Sequence, residues 1–170
     1  NHHHPHQRGC TGTPLGRQLY QAAKLIDGRA TVQGERQIFF AQQGGFDTHG
    51  GQAYQQFDML RQVSQALAAF QLGLAEIHAA QQVTSFTMSE FGRTLQPNSG
   101  GTDHAWGGNV MVFGGKVDGG KIFGTYPDLT LDGPDDVGRG GRLLPGTPAD
   151  LYFAEPYVTP GTKASLTLAE

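Results

Sequence analysis

The stretch GGFDTHGGQ, residues 44–52, places an aspartate and a histidine two positions apart between two pairs of glycines. Asp47 and His49 are side chains of the two kinds that bind zinc and similar divalent ions. Aspartate and glycine are also common turn residues, so this stretch alone fits a polar turn equally well. Whether it belongs to a metal site depends on what the rest of the chain brings near it.

Two further polar clusters extend the set of candidate ligands. One is SEFGRT at residues 89–94, and the other is GTDH at residues 101–104. Imidazole and carboxylate ligands together suit zinc, with manganese or calcium as alternatives, and five ligands exceed the needs of one tetrahedral ion. We therefore predict one or two divalent ions. The predicted ligands are Asp47, His49, Glu90, Asp103 and His104.

The same clusters contain candidates for catalysis. Arg93 offers a planar guanidinium that matches the oxygens of a phosphate or sulfate. Ser89 and Thr48 are candidate nucleophiles, and water activated at the metal is the other. Taken singly, each of these residues also fits a structural role, such as a cap, a surface acid or the partner of one. Only their grouping indicates a site.

The pattern of apolar residues predicts the elements that would position these clusters. Thr13-Pro14 is typical of a helix start, and Gly28 of its end. A second, longer helix is predicted from Gln52 to about Ala80, because its apolar residues recur every three or four positions. The predicted strands are Ile38–Ala41, Val83–Ser89 and Asn109–Phe113, with a hairpin at Lys116–Phe123.

A strand, a long helix and a second strand form a βαβ unit, whose two strands are parallel. The sequence therefore predicts an α/β fold with a mostly parallel sheet and flanking helices. The carboxyl ends of parallel strands meet at one sheet edge, where sites of such folds gather. On this fold, the clusters that follow the first two strands lie side by side, and the third cluster folds back over them.

Composition limits the classes of function. The 170 residues suit one domain, and the 26 glycines indicate a loop-rich one. A net charge of −3 implies no basic face for nucleic acid, and no apolar run is long enough to span a membrane. Cys10 is the single cysteine, so no internal disulfide or zinc-thiolate site is expected. The histidine-rich start, residues 1–12, is a tail or tag remnant, or an accessory metal-binding tract.

Several motifs in a fixed order resemble a bacterial sulfatase-like family of unknown function that is grouped with the alkaline phosphatase superfamily. They are GGFDTHGGQ, FTMSEFGRT, GGTDHAWGGNVMVFGG and GGKIFGTYPDL, and the resemblance covers about residues 13–148. It implies the C-terminal half of an α/β/α sandwich with a metal centre, and periplasmic or secreted location. Asp47 and His49 match one metal-binding group of the superfamily. The superfamily's usual Asp-His strand is replaced here by Glu90-Phe91, and the nucleophile segment of the N-terminal half has no counterpart.

The predicted function is a metal-dependent hydrolase of phosphate, sulfate or related esters that acts on a small anionic ester. The alternatives are a non-catalytic exported domain that binds metal or an anion, and a carboxylesterase-type hydrolase. The chain is expected to divide into a tail, a metal-site domain at residues 13–150 and an irregular segment at residues 151–170. Besides the small anionic ester, the candidate partners are a partner chain and a second copy of this chain, and the sequence leaves open whether either supplies the missing half.

Overall fold

The computed structural model describes residues 12–31, 36–105, 110–122 and 127–136. Nearly all of the histidine-rich start and the whole segment 151–170 lie outside the described residues. Contacts divide the chain into two compact units. The first unit contains the chain up to Asp47 and Ala53–Val83, and the second contains Thr48–Gln52 and the chain from Thr84 onward.

The first helix, α1 (Pro14–Asp27), begins and ends where the sequence predicts. The hydroxyl of Thr13 accepts a hydrogen bond of 3.1 Å from the backbone N–H of Gly16, which caps the first turn. At the other end the backbone N–H of Gly28 donates to the carbonyls of Ile26 and Lys24. Both ends are therefore fixed by local hydrogen bonds that depend on neighbouring residues alone.

The second helix, α2 (Gln52–Glu76), confirms the predicted long helix, although it ends a turn earlier than expected. Its buried residues lie in the half of the helix nearer the C-terminus, and Leu74 is completely buried. The core of the first unit lies where this half packs against α1. Its buried members are Ala22, Ile26, Phe70, Leu74 and Ala79, with Leu19, Ala23, Ile77, Ala80 and Val83 partly buried around them.

The predicted strand at Ile38–Ala41 is not a strand. This stretch has no regular secondary structure, and Ile38 is 97% exposed and Phe40 84% exposed, so neither packs into a core. A strand needs a neighbouring strand to take up its backbone groups, and none pairs with this one among the described residues. Only its end is secured, because the Gln18 side chain bonds both the N–H and the carbonyl of Gln42 at 2.9 Å.

The mostly parallel α/β sheet is also wrong for the described residues. They contain four short strands in two separate antiparallel pairs. These are β1 (Thr84–Phe86), β2 (Gly92–Pro97), β3 (Thr102–Ala105) and β4 (Val112–Gly114). Strand β1 pairs with β4, and β2 pairs with β3. The predicted βαβ unit fails because β1 meets an antiparallel partner from later in the chain, and the apolar stretch before α2 meets none.

Three smaller expectations need correction or confirmation. Strands were predicted around β1 and β4, and both exist, but they are shorter than predicted. No strand forms between Lys116 and Ile122, so the described part of the predicted hairpin there is a series of turns. A real hairpin lies earlier, between β2 and β3, where the sequence predicted only loops. In the part of the chain that the structure describes, no helix is both long and apolar enough to cross a membrane.

Candidate metal centre

The β2–β3 hairpin positions three of the predicted site residues, Arg93, Asp103 and His104. Arg93 and His104 are opposite each other in its register, and an irregularity follows between Arg93 and Pro97. Asn98 closes the turn, because its side-chain oxygen accepts hydrogen bonds from the N–H groups of Gly100 and Gly101 at 3.1 and 2.7 Å. Such a turn, built by an asparagine side chain followed by glycines, is a locally determined structure. It sets where β3 begins and therefore where His104 lies.

The segment Thr48–Gln52 is joined to this hairpin by Gln52. The backbone N–H of Gln52 donates to the Gly100 carbonyl at 3.0 Å. Its side-chain oxygen accepts from both the backbone N–H and the hydroxyl of Thr102, the latter at 2.8 Å. These three hydrogen bonds hold the loop that carries His49 against the strand that carries His104.

Glycines allow the two loops to approach this closely. A Cβ added to Gly101 would lie 2.6 Å from the side-chain oxygen of Gln52, and one added to Gly100 would lie 3.2 Å from the Cα of Gly50. Gly51 has a φ of 60°, which a glycine adopts without strain. The glycine pairs in the two motifs therefore serve mainly to pack one backbone against the other.

Arg93 also connects the loop that carries His49 to strand β3. Its guanidinium donates to the Thr102 carbonyl at 2.6 Å and, through a long hydrogen bond of 3.5 Å, to the hydroxyl of the buried Thr48. The guanidinium also lies 5.0 Å from the centre of the Phe91 ring. In this arrangement Arg93 links the two chain segments, and its Nη1 and Nη2 donate to protein oxygens.

Three of the five predicted ligands come together. Asp47, His49 and His104 each offer one ligand atom, and these atoms all lie within 4.8 Å of one another. Asp47 is one residue before Thr48 in the chain, so its proximity to His49 is set by the local backbone. Two ligands of one zinc ion lie roughly 3–4 Å apart, given zinc–ligand distances of about 2.0–2.2 Å. The Asp47 and His49 side chains are exposed, and that of His104 is partly buried.

The donor set itself fits a divalent ion. Two imidazoles and one carboxylate form a ligand set that zinc uses in catalytic sites, where a fourth position remains for water or substrate. The His49 and His104 rings are 4.9 Å apart and inclined by 31°. The Phe91 ring stacks on His104 at 3.8 Å with an interplanar angle of 8°, which fixes the plane of that imidazole.

The remaining predicted residues lie around this group without joining it. Glu90 is exposed and precedes β2, and it is not among the three grouped ligands. Asp103 is also outside that group, although its carboxylate lies 3.3 Å from Nδ1 of His49. The Ser89 hydroxyl donates to the Phe91 carbonyl at 2.7 Å. Thr48 is 4% exposed, and its hydroxyl accepts from Arg93.

A cavity of about 310 Å³ adjoins Asp103 in the second unit. Its lining includes three carboxylates, those of Asp103, Asp132 and Asp136, together with Thr94 and Asn98. Carboxylates that face one space favour a neutral or cationic occupant over an anionic one, because like charges repel at short range. Asp103 lines this cavity and contacts His49, whereas Asp47, His49 and His104 are not among the lining residues.

Sequence reasoning missed three residues that build the site. These are Gln52, which ties the loop to β3, Phe91, which stacks on His104, and Asn98, which forms the turn. The Asn-Ser-Gly-Gly order at residues 98–101 is a turn signal that could have identified the last. Nothing in the local sequence distinguishes Gln52 or Phe91, because both act through residues distant along the chain.

Comparison with known proteins gives one match. No curated protein and no solved structure matches the chain. A family model described as "Protein of unknown function (DUF1501)" matches residues 3–137, which span the two helices, the β2–β3 hairpin and all three grouped ligands. The match covers most of the 170 residues. The chain therefore belongs to the DUF1501 family.

Proposed function

We propose that the chain binds a divalent metal ion through Asp47, His49 and His104, and that it is a metal-dependent hydrolase of phosphate, sulfate or related esters. The observation that supports this is the grouping of one carboxylate and two imidazoles within 4.8 Å. A bound divalent ion supplies polarisation of a substrate oxygen and a lowered pKa for bound water. Zinc is the first choice, since it prefers this mixture of ligands.

The residues of the chain would contribute binding and orientation. Three protein ligands leave one tetrahedral position for an exchangeable group, which is the arrangement of catalytic rather than structural zinc. Gln52 and Arg93 hold the loop and the hairpin together, so the two histidines keep a fixed spacing. Preformed ligand geometry is what allows an ion to be bound without a large ordering cost.

The resemblance to sulfatase-like proteins favours anionic esters and an exported location, and both belong to this proposal. Arg93 was predicted to orient the anion. Its guanidinium already donates to the Thr102 carbonyl and approaches Thr48. For Arg93 to orient a phosphate or sulfate, it would have to exchange these contacts for substrate oxygens. The same exchange would loosen the junction between the loop and β3.

A second candidate function follows from the cavity beside Asp103. Its three carboxylates, Asp103, Asp132 and Asp136, disfavour a phosphate or sulfate group there. A neutral carboxylic ester would meet no such repulsion. Because Asp103 both lines this cavity and contacts His49, hydrolysis of neutral esters beside the metal centre is the second candidate.

The test combines metal analysis with a substrate panel. The full chain is purified without chelator, its metal content is measured by mass spectrometry, and zinc is then titrated in. Turnover is measured on an aryl phosphate, a phosphodiester, an aryl sulfate and an aryl acetate. The variant is His49→Ala, and the matched control is His78→Asn, which removes an exposed histidine outside the group. Asparagine tolerates the φ of 55° at position 78.

Each result has a distinct meaning. The proposal expects one zinc ion per chain and turnover of a phosphate or sulfate ester, both lost in His49→Ala and kept in His78→Asn. Turnover of the acetate alone supports the second candidate. Bound zinc without any turnover refutes the hydrolase and leaves a metal-binding domain. Failure of the unmodified chain to bind zinc or manganese overturns the proposal as a whole.

A further inference from the structure

Asp103 is held in place by two residues of the hairpin and by His49 of the facing loop. Its carboxylate oxygen Oδ1 lies 3.3 Å from Nδ1 of His49 and accepts a hydrogen bond of 3.2 Å from the Asn98 side-chain amide. Its backbone N–H donates to the hydroxyl of the buried Thr94 at 3.1 Å. The side chain of Asp103 is 22% exposed, whereas that of His49 is 49% exposed. The better-fixed residue of the pair is therefore the aspartate.

The contact between Asp103 and His49 favours one tautomer of the imidazole. A neutral histidine carries its single proton on one ring nitrogen, and the other nitrogen is an acceptor. A carboxylate oxygen can only accept, so a hydrogen bond at this contact is made by the tautomer that carries its proton on Nδ1. The lone pair is then on Nε2. A ligand nitrogen for a metal must have that free lone pair, and the second nitrogen of metal-binding histidines generally donates to such a partner.

We infer that Asp103 is a positioning residue for His49, and that it is not a metal ligand. It accepts the Nδ1 proton of His49 and thereby presents Nε2 to the divalent ion that is bound with Asp47 and His104. This inference rests on the proposed metal binding and refines the five-ligand set expected from sequence. Two observations support it: Asp103 is outside the group of mutually close ligand atoms, and its Oδ1 already faces both His49 and Asn98.

Asn98 connects the position of the Asp103 carboxylate to the turn of the hairpin. Its amide oxygen accepts from Gly100 and Gly101, while its amide nitrogen donates to Asp103. The turn that starts β3 therefore also orients the carboxylate. The adjacent residues Asp103 and His104 then have different roles. Asp103 orients His49, which lies on the facing loop, whereas His104 is itself a ligand.

The first measurement is the zinc affinity of the full chain, which is determined by competition with a chromophoric chelator. Asp103→Asn keeps the size of the side chain and removes the acceptor charge. Loss of such a partner commonly weakens metal affinity by about 10- to 100-fold, and we expect that range. The matched control is Asp118→Asn, which removes an exposed carboxylate of the same unit that pairs with Lys121. We expect a change of less than about threefold.

The second measurement distinguishes positioning from ligation. Long-range proton–nitrogen NMR spectra of the metal-free chain report which nitrogen of His49 carries the proton, and we expect Nδ1 in the unmodified chain and a mixture in Asp103→Asn. With cobalt in place of zinc, the visible absorption reports the number of ligands. We expect saturated Asp103→Asn to give the spectrum of the unmodified chain, whereas His49→Ala changes it.

The outcomes separate this inference from the proposed function. If the unmodified chain binds zinc but Asp103→Asn binds it equally well, the inference fails and the metal centre stands. A changed cobalt spectrum in saturated Asp103→Asn would make Asp103 a ligand and also overturn the inference. A proton found on Nε2 of His49 in the unmodified chain contradicts it without any metal. If the unmodified chain binds neither metal, the proposed function falls first and this inference with it.

Discussion

The contact between Gly101 and Gln52 gives a sharp test of how the two loops are joined. A Cβ at position 101 would lie 2.6 Å from the Gln52 side-chain oxygen and 3.0 Å from its Cβ. The oxygen could swing away, but it would then lose the N–H and the hydroxyl of Thr102. We therefore expect Gly101→Ala to release the Gln52 side chain from β3 without unfolding the first unit.

The size of the effect follows from the hydrogen bonds lost. Each contributes about 0.5–1.5 kcal/mol net, so two contribute roughly 1–3 kcal/mol. A factor of ten in an equilibrium constant corresponds to about 1.4 kcal/mol. Opening of this junction should therefore become about 5- to 140-fold more frequent. The exchange rate of the Thr102 backbone amide with solvent should rise by the same factor, because that amide donates to Gln52.

The matched control is Gly50→Ala, in the facing loop. A Cβ at Gly50 meets no atom within 4 Å, so this variant tests only the general effect of replacing glycine by alanine. Amide hydrogen exchange followed by NMR compares the two variants with the unmodified chain. If Thr102 exchanges at the same rate in Gly101→Ala as in Gly50→Ala, the proposed role of the Gly101–Gln52 contact is wrong.

Three further predictions concern the helices. Leu74→Ala, at a completely buried position, should lower the free energy of unfolding by about 2–5 kcal/mol in urea titrations. Leu72→Ala, at a position 54% exposed, should change it by no more than about 0.5 kcal/mol. Thr13→Ala should cost about 0.5–2 kcal/mol by removing the cap of α1, whereas Thr13→Ser should restore most of it. Hydrogen bonds from Arg61 and then Gln62 hold the pKa of Asp58 below its ordinary value, so Arg61→Gln should raise that pKa in an NMR titration.

The lowered pKa of Asp58 also predicts how the stability of the fold depends on pH. Because the folded pKa of Asp58 is lowered, its hydrogen bonds favour the folded state fully above the pKa of the unfolded chain. That contribution is lost as the pH falls through the folded pKa. Arg61→Gln should raise the folded pKa of Asp58 towards the pKa of the unfolded chain. The pH range between these two values, over which this contribution to stability is lost, should therefore become narrower. An unchanged titration of Asp58 in Arg61→Gln would show that Arg61 does not lower this pKa. Equal effects of Leu74→Ala and Leu72→Ala on the free energy of unfolding would show that Leu74 does not belong to the core.

The helices were predictable because their signals are local. Thr13, Pro14 and Gly28 limit α1 through hydrogen bonds and dihedral angles that involve only the nearest residues. The start of α2 at Gln52 follows from apolar residues that recur with helical spacing. Strand pairing could not be derived in the same way. The apolar stretch Ile38–Ala41 has strand composition, yet a strand exists only if another segment pairs with it, and composition does not name that segment.

The grouping of candidate metal ligands was partly predictable, although the contacts that bring these residues together differ from those expected. Glycine-bracketed Asp-x-His and Asp-His motifs identified the side chains that could bind an ion. The expected cause of their meeting was a common edge of a parallel sheet, and that sheet is not present among the described residues. The observed cause is the β2–β3 hairpin joined to the loop of His49 by Gln52 and Arg93.

The sequence by itself determined both ends of α1 and the start of α2, because these depend on neighbours within a few positions, and it determined the residue types available for metal binding. Only the tertiary structure decided the partners. It brings His49 to His104 across more than fifty residues, directs the Arg93 guanidinium at protein oxygens, and sets Asp103 against Nδ1 of His49. These contacts arise from hydrogen bonds between distant segments, and the pattern of either segment alone carries no information about the other.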